Sequence, residues 1–209
     1  MAHNDPQCKP LTRAQQQRRS DIVRAALKVF DRDGFEGARI EDVAREAEIA
    51  KGTVYLYFPN KQALLEGVVH EVISPEVDEV ERTALDPQLS PGERLRRQIK
   101  IIGARLGSGD MKIILRLMMG EGPKNEELRK FYYHEVVERG MAAISQCLAD
   151  GVRTGEFVKS ADKIEPQVFA GTPLLAAVWG ILFDDLAPLD VNKLLESHCE
   201  QLLTGLERR

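Results

Sequence analysis

Residues 51–61, KGTVYLYFPNK, combine aromatic side chains with flanking cations in a way that a simple core segment would not. Tyr55, Tyr57 and Phe58 fall within four positions, and a lysine stands at each end. Aromatic residues at this density usually belong to a core, but a core has no need of two hydroxyl groups between two cations. Val54 and Phe58 are four residues apart and therefore share one face of a helix. We predict a short helix with one buried face and one outward face.

The segments next to this helix also have helical character. The first helix is predicted to begin near Thr12, with Gln15 placed to complete a capping box, and to end at Gly34. Pro59 stops the third helix, and Asn60 can cap the fourth. Two short helices behind a longer supporting helix are typical of a helix-turn-helix DNA-binding unit. The predicted helices cover about residues 12–33, 40–47, 51–58 and 61–73.

The remainder of the chain shows helical spacing of apolar residues and no alternating strand pattern. Ser74-Pro75-Glu76 predicts either a new helix start or a kink, and residues 85–94, LDPQLSPGER, are the best candidate linker. We expect an all-α fold, with a basic tail and a three-helix helix-turn-helix domain in residues 1–60 and a larger helical bundle in residues 61–209. Further helices are predicted at about 92–106, 110–120, 124–153, 163–185 and 190–206.

The composition of the 209-residue chain, 43% hydrophobic and 30% charged, is that of a folded globular protein. No apolar run reaches the roughly 18 residues of a membrane span, and the N-terminus lacks the apolar segment of a secretory signal. We therefore predict a cytoplasmic protein with no membrane partner. Residues 1–61 carry 11 basic and 9 acidic side chains, whereas residues 62–209 carry 18 and 24. This asymmetry predicts different partners for the two parts.

The cysteines Cys8, Cys147 and Cys199 are widely spaced and form neither a CxxC pair nor a metal-ligand cluster. Unpaired thiols in a reducing compartment are the simplest interpretation, and a thiol-based redox sensor is an alternative. The sequence contains no catalytic or phosphate-binding motif. We predict that the protein is not an enzyme and needs no metal or cofactor.

The outward face of the helix at 51–58 has the chemistry of a DNA-reading surface. Hydroxyl groups between lysines suit contact with phosphates and base edges, and Gly52 allows close backbone approach. Arg39, at the start of the second helix, offers a further phosphate contact. In the alternative interpretation, Tyr55 and Tyr57 are half-buried surface aromatics. The basic side chains nearer the N-terminus either reach a DNA groove or are solvated; they are Arg13, Arg18 and Arg19.

Residues 22–69, IVRAALKVFDRDGFEGARIEDVAREAEIAKGTVYLYFPNKQALLEGVV, resemble the DNA-binding domain of the tetracycline-repressor (TetR) family of bacterial transcription regulators without a gap. The resemblance implies one set of residues that meets the bases and nearby backbone, a second set that contacts phosphates, and a core-facing pair, Val54 and Phe58. The base-reading set is Lys51, Gly52, Thr53, Tyr55 and Leu56, and the phosphate set is Arg39, Tyr57 and Lys61.

Two residues depart from the family pattern. Glu48 stands in the turn where the family often has glycine, and it would cost about 1 kcal/mol if its backbone is left-handed. It would also bring a carboxylate close to DNA. Ala50 replaces a frequent serine, so that one potential helix cap is missing.

A small DNA-reading unit joined to a larger apolar bundle suggests a sensor, and the resemblance implies a small, largely apolar effector held among the middle helices. The methionine-rich residues 111–122, MKIILRLMMGEG, either line a pliable pocket or are ordinary bundle core. The candidate pocket residues are Met111, Leu115, Met118, Met119, Tyr132, Val136 and Trp179.

The last two predicted helices have broad apolar faces, and the resemblance implies that this pair forms a four-helix interface with a second copy. The candidate interface residues are Val168, Leu175, Val178, Leu182, Leu195 and Leu202. The sequence thus predicts a homodimeric regulator that binds double-stranded DNA at a palindromic operator, as a repressor released by its effector. A redox-sensing regulator and a non-specific structural DNA-binding protein are the alternatives.

Overall fold

A computed structural model of the chain describes residues 11–207, which are helical apart from connections and one isolated β-bridge between Phe157 and Glu207. The chain divides into two compact units, the first ending at Glu71 and the second beginning at Val72. The helices of the first unit are α1 (Arg13–Gly37), α2 (Ile40–Glu46) and α3 (Lys51–Tyr57), together with the first part of α4 (Lys61–Ala84). Residues 11–207 therefore confirm the prediction of an all-α fold.

Helix α1 begins where its sequence predicts, but its predicted end at Gly34 is a kink inside a longer helix. The backbone N–H of Gln15 donates to Thr12 Oγ1 at 3.3 Å, and that of Thr12 donates to Gln15 Oε1 at 2.8 Å, which confirms the capping box. Gly34 has a φ of 68°, which is not helical, and it therefore kinks the helix. The helix continues beyond this kink to Gly37. The apolar stripe of the helix is buried against its own unit, with Ile22 and Phe30 at most 1% exposed.

The turn between α2 and α3 depends on a left-handed residue that is not glycine. Glu48 has a φ of 55°. Its N–H donates to Arg45 O at 3.2 Å, and the N–H of Ile49 donates to Ala44 O at 2.9 Å, which is the bonding pattern of a Schellman motif. The turn therefore has its expected geometry, and Glu48 carries the strain that the sequence predicted for this position.

Helix α4 is longer than predicted. Asn60 caps it through a bond from the N–H of Ala63 to Asn60 Oδ1 at 2.8 Å, but the helix does not end near residue 73. It continues through Pro75 to Ala84. Proline within a helix removes one backbone hydrogen bond. The segment stays helical because the buried side chains on either side of Pro75 pack on a common face; these are Ile73, Val77 and Val80.

The second unit contains the remaining helices. They are α5 (Pro91–Leu106), α6 (Gly109–Glu121), α7 (Glu126–Tyr132), a π-helical turn (Tyr133–Glu138), α8 (Arg139–Thr154), a short 3₁₀ turn (Ala161–Lys163), α9 (Gln167–Leu182) and α10 (Val191–Leu206). The predicted helix at 124–153 is therefore interrupted by π-helical geometry, which periodicity alone does not reveal. The predicted linker at 85–94 is shorter, because Ser90 and Glu93 form a capping box that starts α5 at Pro91.

Helix α5 lies at the centre of this unit and packs against α8, α9 and α10. Ile99 is fully buried in a core that includes Ile144 and Phe169. Gln98, also fully buried, donates from Nε2 to Val80 O at 3.1 Å and so holds α5 to α4. These contacts fix the helices that surround the cavity described below.

Candidate DNA-reading surface and effector cavity

Helix α3 turns two kinds of residue in opposite directions. Val54 and Phe58 are 0% and 3% exposed, as predicted for its core face. The Phe58 ring fits closely against Gly67 of α4, where an added Cβ would come within 2.3 Å of the ring. On the other side, Tyr55 is 44% and Leu56 is 83% exposed. The segment is therefore a short helix anchored by two residues, with large side chains directed outward.

Lys51 is held in place at the start of α3. Its Nζ forms an ion pair with Glu41 Oε1 and lies 5.7 Å from the centre of the Tyr55 ring. The bond to Glu41 raises the pKa of Lys51, and the bond to Lys51 lowers the pKa of Glu41, so that both groups are charged at neutral pH. Lys51 is thus exposed and oriented, but its charge is shared with an acidic neighbour.

Lys61, a predicted phosphate contact, has its ammonium group on the end of α1. Its Nζ donates to Phe35 O at 2.5 Å and to Glu36 O at 3.2 Å, and lies 4.5 Å from the centre of the Phe35 ring. A cation at the C-terminal end of a helix stabilises the terminal carbonyl groups. The structure therefore gives Lys61 a role in joining α1 to α4.

The other predicted DNA contacts lie at or near the outer surface of the unit. Arg39 precedes α2 and is exposed. Gly52 is exposed, with open space where a Cβ would stand. Thr53 and Tyr57 are half-buried. Ala50 forms no side-chain cap on α3, as expected from its sequence.

The three arginines near the N-terminus belong to α1, which begins at Arg13, and not to a tail. Arg19 forms an ion pair with Glu71 at 3.1 Å, and its guanidinium carbon lies 5.1 Å from the centre of the Phe58 ring. Arg19 therefore stabilises the unit internally. Glu48 borders a shallow groove between α1 and the end of α2, whose other charged lining residues are Asp21, Arg24, Lys28 and Glu46.

The second unit contains a partly open cavity of about 280 Å³, close to the lower end of the range of about 300–1,000 Å³ that is typical of small-molecule sites. Helices α4, α5, α8 and α9 and the π-helical turn contribute most of its wall, and α6 and α7 contribute one residue each. The polar exceptions in a mostly apolar lining are Glu76, Arg105, Tyr132 and Gln167. The apolar lining residues include Ile73, Val77, Val80, Ile101, Ile102, Leu106, Val137, Met141 and Leu174.

The structure brings together three of the residues predicted for the pocket, because Met111, Tyr132 and Val136 lie on the cavity wall. The others point elsewhere. Met119 is 52% exposed, and Trp179 donates from Nε1 to Ala187 O at 2.7 Å. The predicted residues that do not line the cavity are Leu115, Met118, Met119 and Trp179.

Methionine content was a poor guide to this wall, since α6 contributes only its first turn, at Met111. The residues that sequence reasoning missed lie mainly on α4 and α5. The apolar spacing of α5, with Ile101 and Ile102 after the buried Ile99, was the available signal. It could not separate a core face from a cavity wall.

The predicted dimer residues divide between a surface and the core. Val168, Leu175 and Leu182 on α9 are 46%, 56% and 57% exposed. Val178 and Leu202 are half-buried. Leu195 requires correction, because it is 5% exposed and fills the space above Gly103 of α5, where an added Cβ would meet it at 2.2 Å. It therefore belongs to the core of its own chain.

The thiols that the structure describes are unsuited to redox sensing. Cys147 and Cys199 are fully buried and unpaired. Burial raises the pKa of Cys147 to about 12 and also raises that of Cys199, which keeps both thiols protonated and unreactive at neutral pH. Cys8 lies outside the described residues. Between residues 11 and 207 there is no group of three or more side chains that could hold a metal ion, and no helix long and apolar enough to cross a membrane.

Comparison with known proteins agrees with this architecture. Residues 22–68 match the family model for bacterial regulatory proteins of the tetR family. The fatty acid metabolism regulator protein of Bacillus subtilis is 24% identical over 190 residues, which cover 90% of this chain and 95% of that protein. The transcriptional repressor KstR of Rhodococcus jostii is 33% identical over 89 residues, 43% of this chain and 39% of KstR. The regulator YerO of Bacillus subtilis is likewise matched over less than half of its length, at 43%.

Solved structures extend the similarity beyond the first unit. The transcriptional regulator FadR of Bacillus subtilis, crystallised with stearoyl-CoA, superposes with a TM-score of 0.75 at 24% sequence identity. The superposition covers 89% of this chain and 98% of the FadR chain. The helix-turn-helix arrangement and the helical second unit are therefore those of the same fold. The first unit therefore contains the domain that the tetR family model of bacterial regulatory proteins describes, and the chain as a whole shares the fold of the transcriptional regulators to which it is similar.

Proposed function

We propose that this regulator is a repressor that binds a palindromic DNA operator as a homodimer and is released by a small, largely apolar effector. The observation that carries the proposal is the division of α3, in which Val54 and Phe58 anchor the helix while Tyr55 and Leu56 remain outside. Large exposed side chains on a short, well-anchored helix suit insertion into the major groove. Repression is supported by the similarity to the repressor KstR.

The roles on α3 follow from side-chain chemistry. Tyr55 can accept and donate hydrogen bonds at base edges, and Lys51 stands beside it as a cation for phosphate or guanine. Leu56 can form only apolar contacts, for which the methyl group of thymine is the natural partner in the major groove. Arg39 would contact a phosphate from the start of α2, with Thr53 and Tyr57 as further contacts.

Dimerisation through α9 is supported by its exposed apolar side chains, Val168, Leu175 and Leu182. Monomeric proteins rarely expose contiguous apolar patches of this kind. A two-fold dimer would present two copies of α3 about 34 Å apart, to half-sites separated by one turn of DNA.

Release by an effector would act through α4. This helix begins at Lys61 in the DNA-reading unit, and its second half supplies Ile73, Val77 and Val80 to the cavity wall. An effector that prefers one position of this segment would shift the population of DNA-binding conformers. A coupling of about 1–3 kcal/mol would weaken operator binding by roughly 5–150-fold.

The test is selection of bound fragments from genomic DNA by the purified full-length protein, followed by fluorescence anisotropy at fixed salt. The double variant Tyr55→Ala/Leu56→Ala is expected to lose sequence-specific binding, whereas Tyr133→Ala, at an equally exposed tyrosine of the second unit, retains it. Unchanged binding by the double variant would refute the assignment of α3. Equal affinity for selected and random DNA would instead indicate a structural DNA-binding protein.

A further inference from the structure

The cavity of the second unit is open beside α9. Of the residues on its wall, only Gln167, Gly171 and Leu174 are exposed, and the others that the structure describes there are buried or half-buried. The exposed residues follow one another at spacings of four and three positions, so they form a single stripe along one side of the helix. The open side of the cavity therefore runs along this stripe of α9.

The stripe at the cavity opening adjoins the apolar face through which α9 is proposed to dimerise. Val168 follows Gln167 and Leu175 follows Leu174, and successive residues of a helix point about 100° apart. Leu174, on the cavity wall, is 45% exposed, and Leu175, on the proposed interface, is 56% exposed. The exposed surface of α9 therefore continues directly from the cavity opening to the proposed interface.

A second copy of α9 suits this surface better than an unrelated partner does. No charged side chain occurs between Gln167 and Phe183, so two such helices related by a two-fold axis can meet without burying a charge. Gly171 has open space where a Cβ would stand, which lets the backbone of a partner helix approach closely. The surface offers no pattern of charges by which a different, charged partner would be selected.

An apolar ligand in the cavity would gain from such a cover. Most of the wall is apolar and belongs to residues that are buried or half-buried, so it shields most of the ligand from water. The part of the ligand beside Gln167, Gly171 and Leu174 would still face water in a monomer. Contact with a partner helix would remove that apolar surface from water, which is favourable. An apolar ligand should therefore bind the dimer more tightly than the monomer.

We propose that a second copy of this chain completes the effector site, because the α9 helix of the partner covers the cavity opening at Gln167, Gly171 and Leu174. The inference rests on the proposed function, which assigns the cavity to the effector and α9 to the dimer. Binding linkage is reciprocal, so an effector that prefers the dimer also strengthens the dimer. The effector therefore acts on an intact dimer, and it does not release DNA by separating the two copies.

The experiment measures the binding of N-phenyl-1-naphthylamine, an uncharged apolar fluorescent probe, to the full-length protein without DNA. Sedimentation equilibrium first gives the dissociation constant of the dimer, and the probe is then titrated at protein concentrations well below and well above that constant. We expect the dimer to bind the probe at least about fivefold more tightly than the monomer, and saturating probe to lower the dissociation constant of the dimer by at least the same factor. Equal affinities, weaker binding by the dimer or no binding by the dimer overturns the proposal.

The variant Leu175→Glu separates the cover supplied by the partner from the cavity itself. Leu175 does not line the cavity, so a charge there should disrupt the dimer and leave the wall unchanged. We expect the monomeric variant to bind the probe about fivefold or more weakly than the dimer of the unaltered protein. Leu85→Glu, at an exposed leucine that does not belong to α9, should bind it with unchanged affinity. A monomeric Leu175→Glu protein that binds the probe as tightly as the dimer overturns the proposal.

A second variant tests whether the probe binds in the cavity. Gly140 lies on the wall, and an added Cβ there meets nothing within 4 Å, so Gly140→Leu should fold and fill the space. We expect it to abolish probe binding, whereas Gly120→Leu, at an exposed glycine of α6 with equal room, should not. Probe binding that survives Gly140→Leu overturns the proposal, because the probe would then lie outside the cavity.

The same measurements distinguish failure of this proposal from failure of the proposed function. A protein that stays monomeric at every concentration refutes the proposed dimer together with the cover that the partner supplies. A dimer whose strength does not respond to the bound probe refutes the cover alone. Because none of these titrations involves DNA, neither result bears on the DNA-reading surface of α3.

Discussion

The two units of this protein build their candidate sites in different ways. The DNA-reading surface comes from consecutive residues of one short helix, in which Val54 and Phe58 are buried and Tyr55 and Leu56 are exposed. The cavity is assembled from residues far apart in sequence, between Ile73 on α4 and Leu174 on α9. The first kind of site is encoded locally by helical periodicity. The second exists only after several helices have packed around a common space.

The largest expected effect tests whether the second unit depends on its distributed core. Phe169 of α9 is fully buried beside α5 and α8. Phe169→Ala should lower the free energy of unfolding by about 3–5 kcal/mol, because it removes a large side chain and leaves a cavity. Phe183→Ala, at a phenylalanine 40% exposed, is the control and should cost much less. Urea denaturation followed by circular dichroism measures both, and similar losses for the two variants would contradict this account of the core.

A smaller effect is expected for the outward apolar residues of α9 in the second unit. If α9 forms the dimer, Leu175→Glu should weaken self-association by about 2–4 kcal/mol, because a charge would be buried at the interface. Sedimentation equilibrium measures the dissociation constant. Leu85→Glu, at a leucine 71% exposed outside the proposed interface, is the matched control. A dimer of unchanged strength in Leu175→Glu would exclude this face of α9.

Leu56 is the corresponding outward apolar residue of the first unit. Leu56→Ala should weaken operator binding by about 1–3 kcal/mol and leave self-association unchanged, because its side chain is 83% exposed and packs little within the protein. Anisotropy with the selected operator measures the loss. Replacing thymine by uracil in each half-site should reproduce it in the unaltered protein if Leu56 contacts a thymine methyl group. Full affinity for the uracil-containing operator would rule out that contact.

The smallest effect concerns the turn between α2 and α3. Glu48 has a φ of 55°, a conformation that glycine adopts without steric cost. Glu48→Gly should therefore stabilise the protein by about 0.5–1 kcal/mol. Glu46→Gly, at the last residue of α2, removes a helix-forming residue and the ion pair with Lys28 and should destabilise the protein by about 1 kcal/mol instead. Thermal unfolding of the two variants gives the comparison, and a loss of stability in Glu48→Gly would contradict the expected relief of backbone strain.

Local signals in the sequence predicted the first unit in detail. The capping box at Thr12, the left-handed positions at Gly34 and Glu48 and the cap at Asn60 each depend on residues within one turn of one another, and each is found in the structure. Lys61 and Arg19 show the limit of this approach. The sequence predicts contact with DNA or solvent for their cationic groups, and only the folded structure shows that these groups also bind Phe35 O and Glu71, which are distant in sequence.

The sequence by itself determined the all-α class, the helix-turn-helix unit and the two faces of its third helix, because apolar periodicity and capping act over a few residues. Only the tertiary structure decided that α4 continues through Pro75, that Leu195 is core and Leu175 is surface, and that Glu76 and Arg105 meet on a cavity wall. Helical periodicity identifies the apolar face of a helix. It does not identify what that face meets, because burial, cavity and interface place the same residue types at the same spacing.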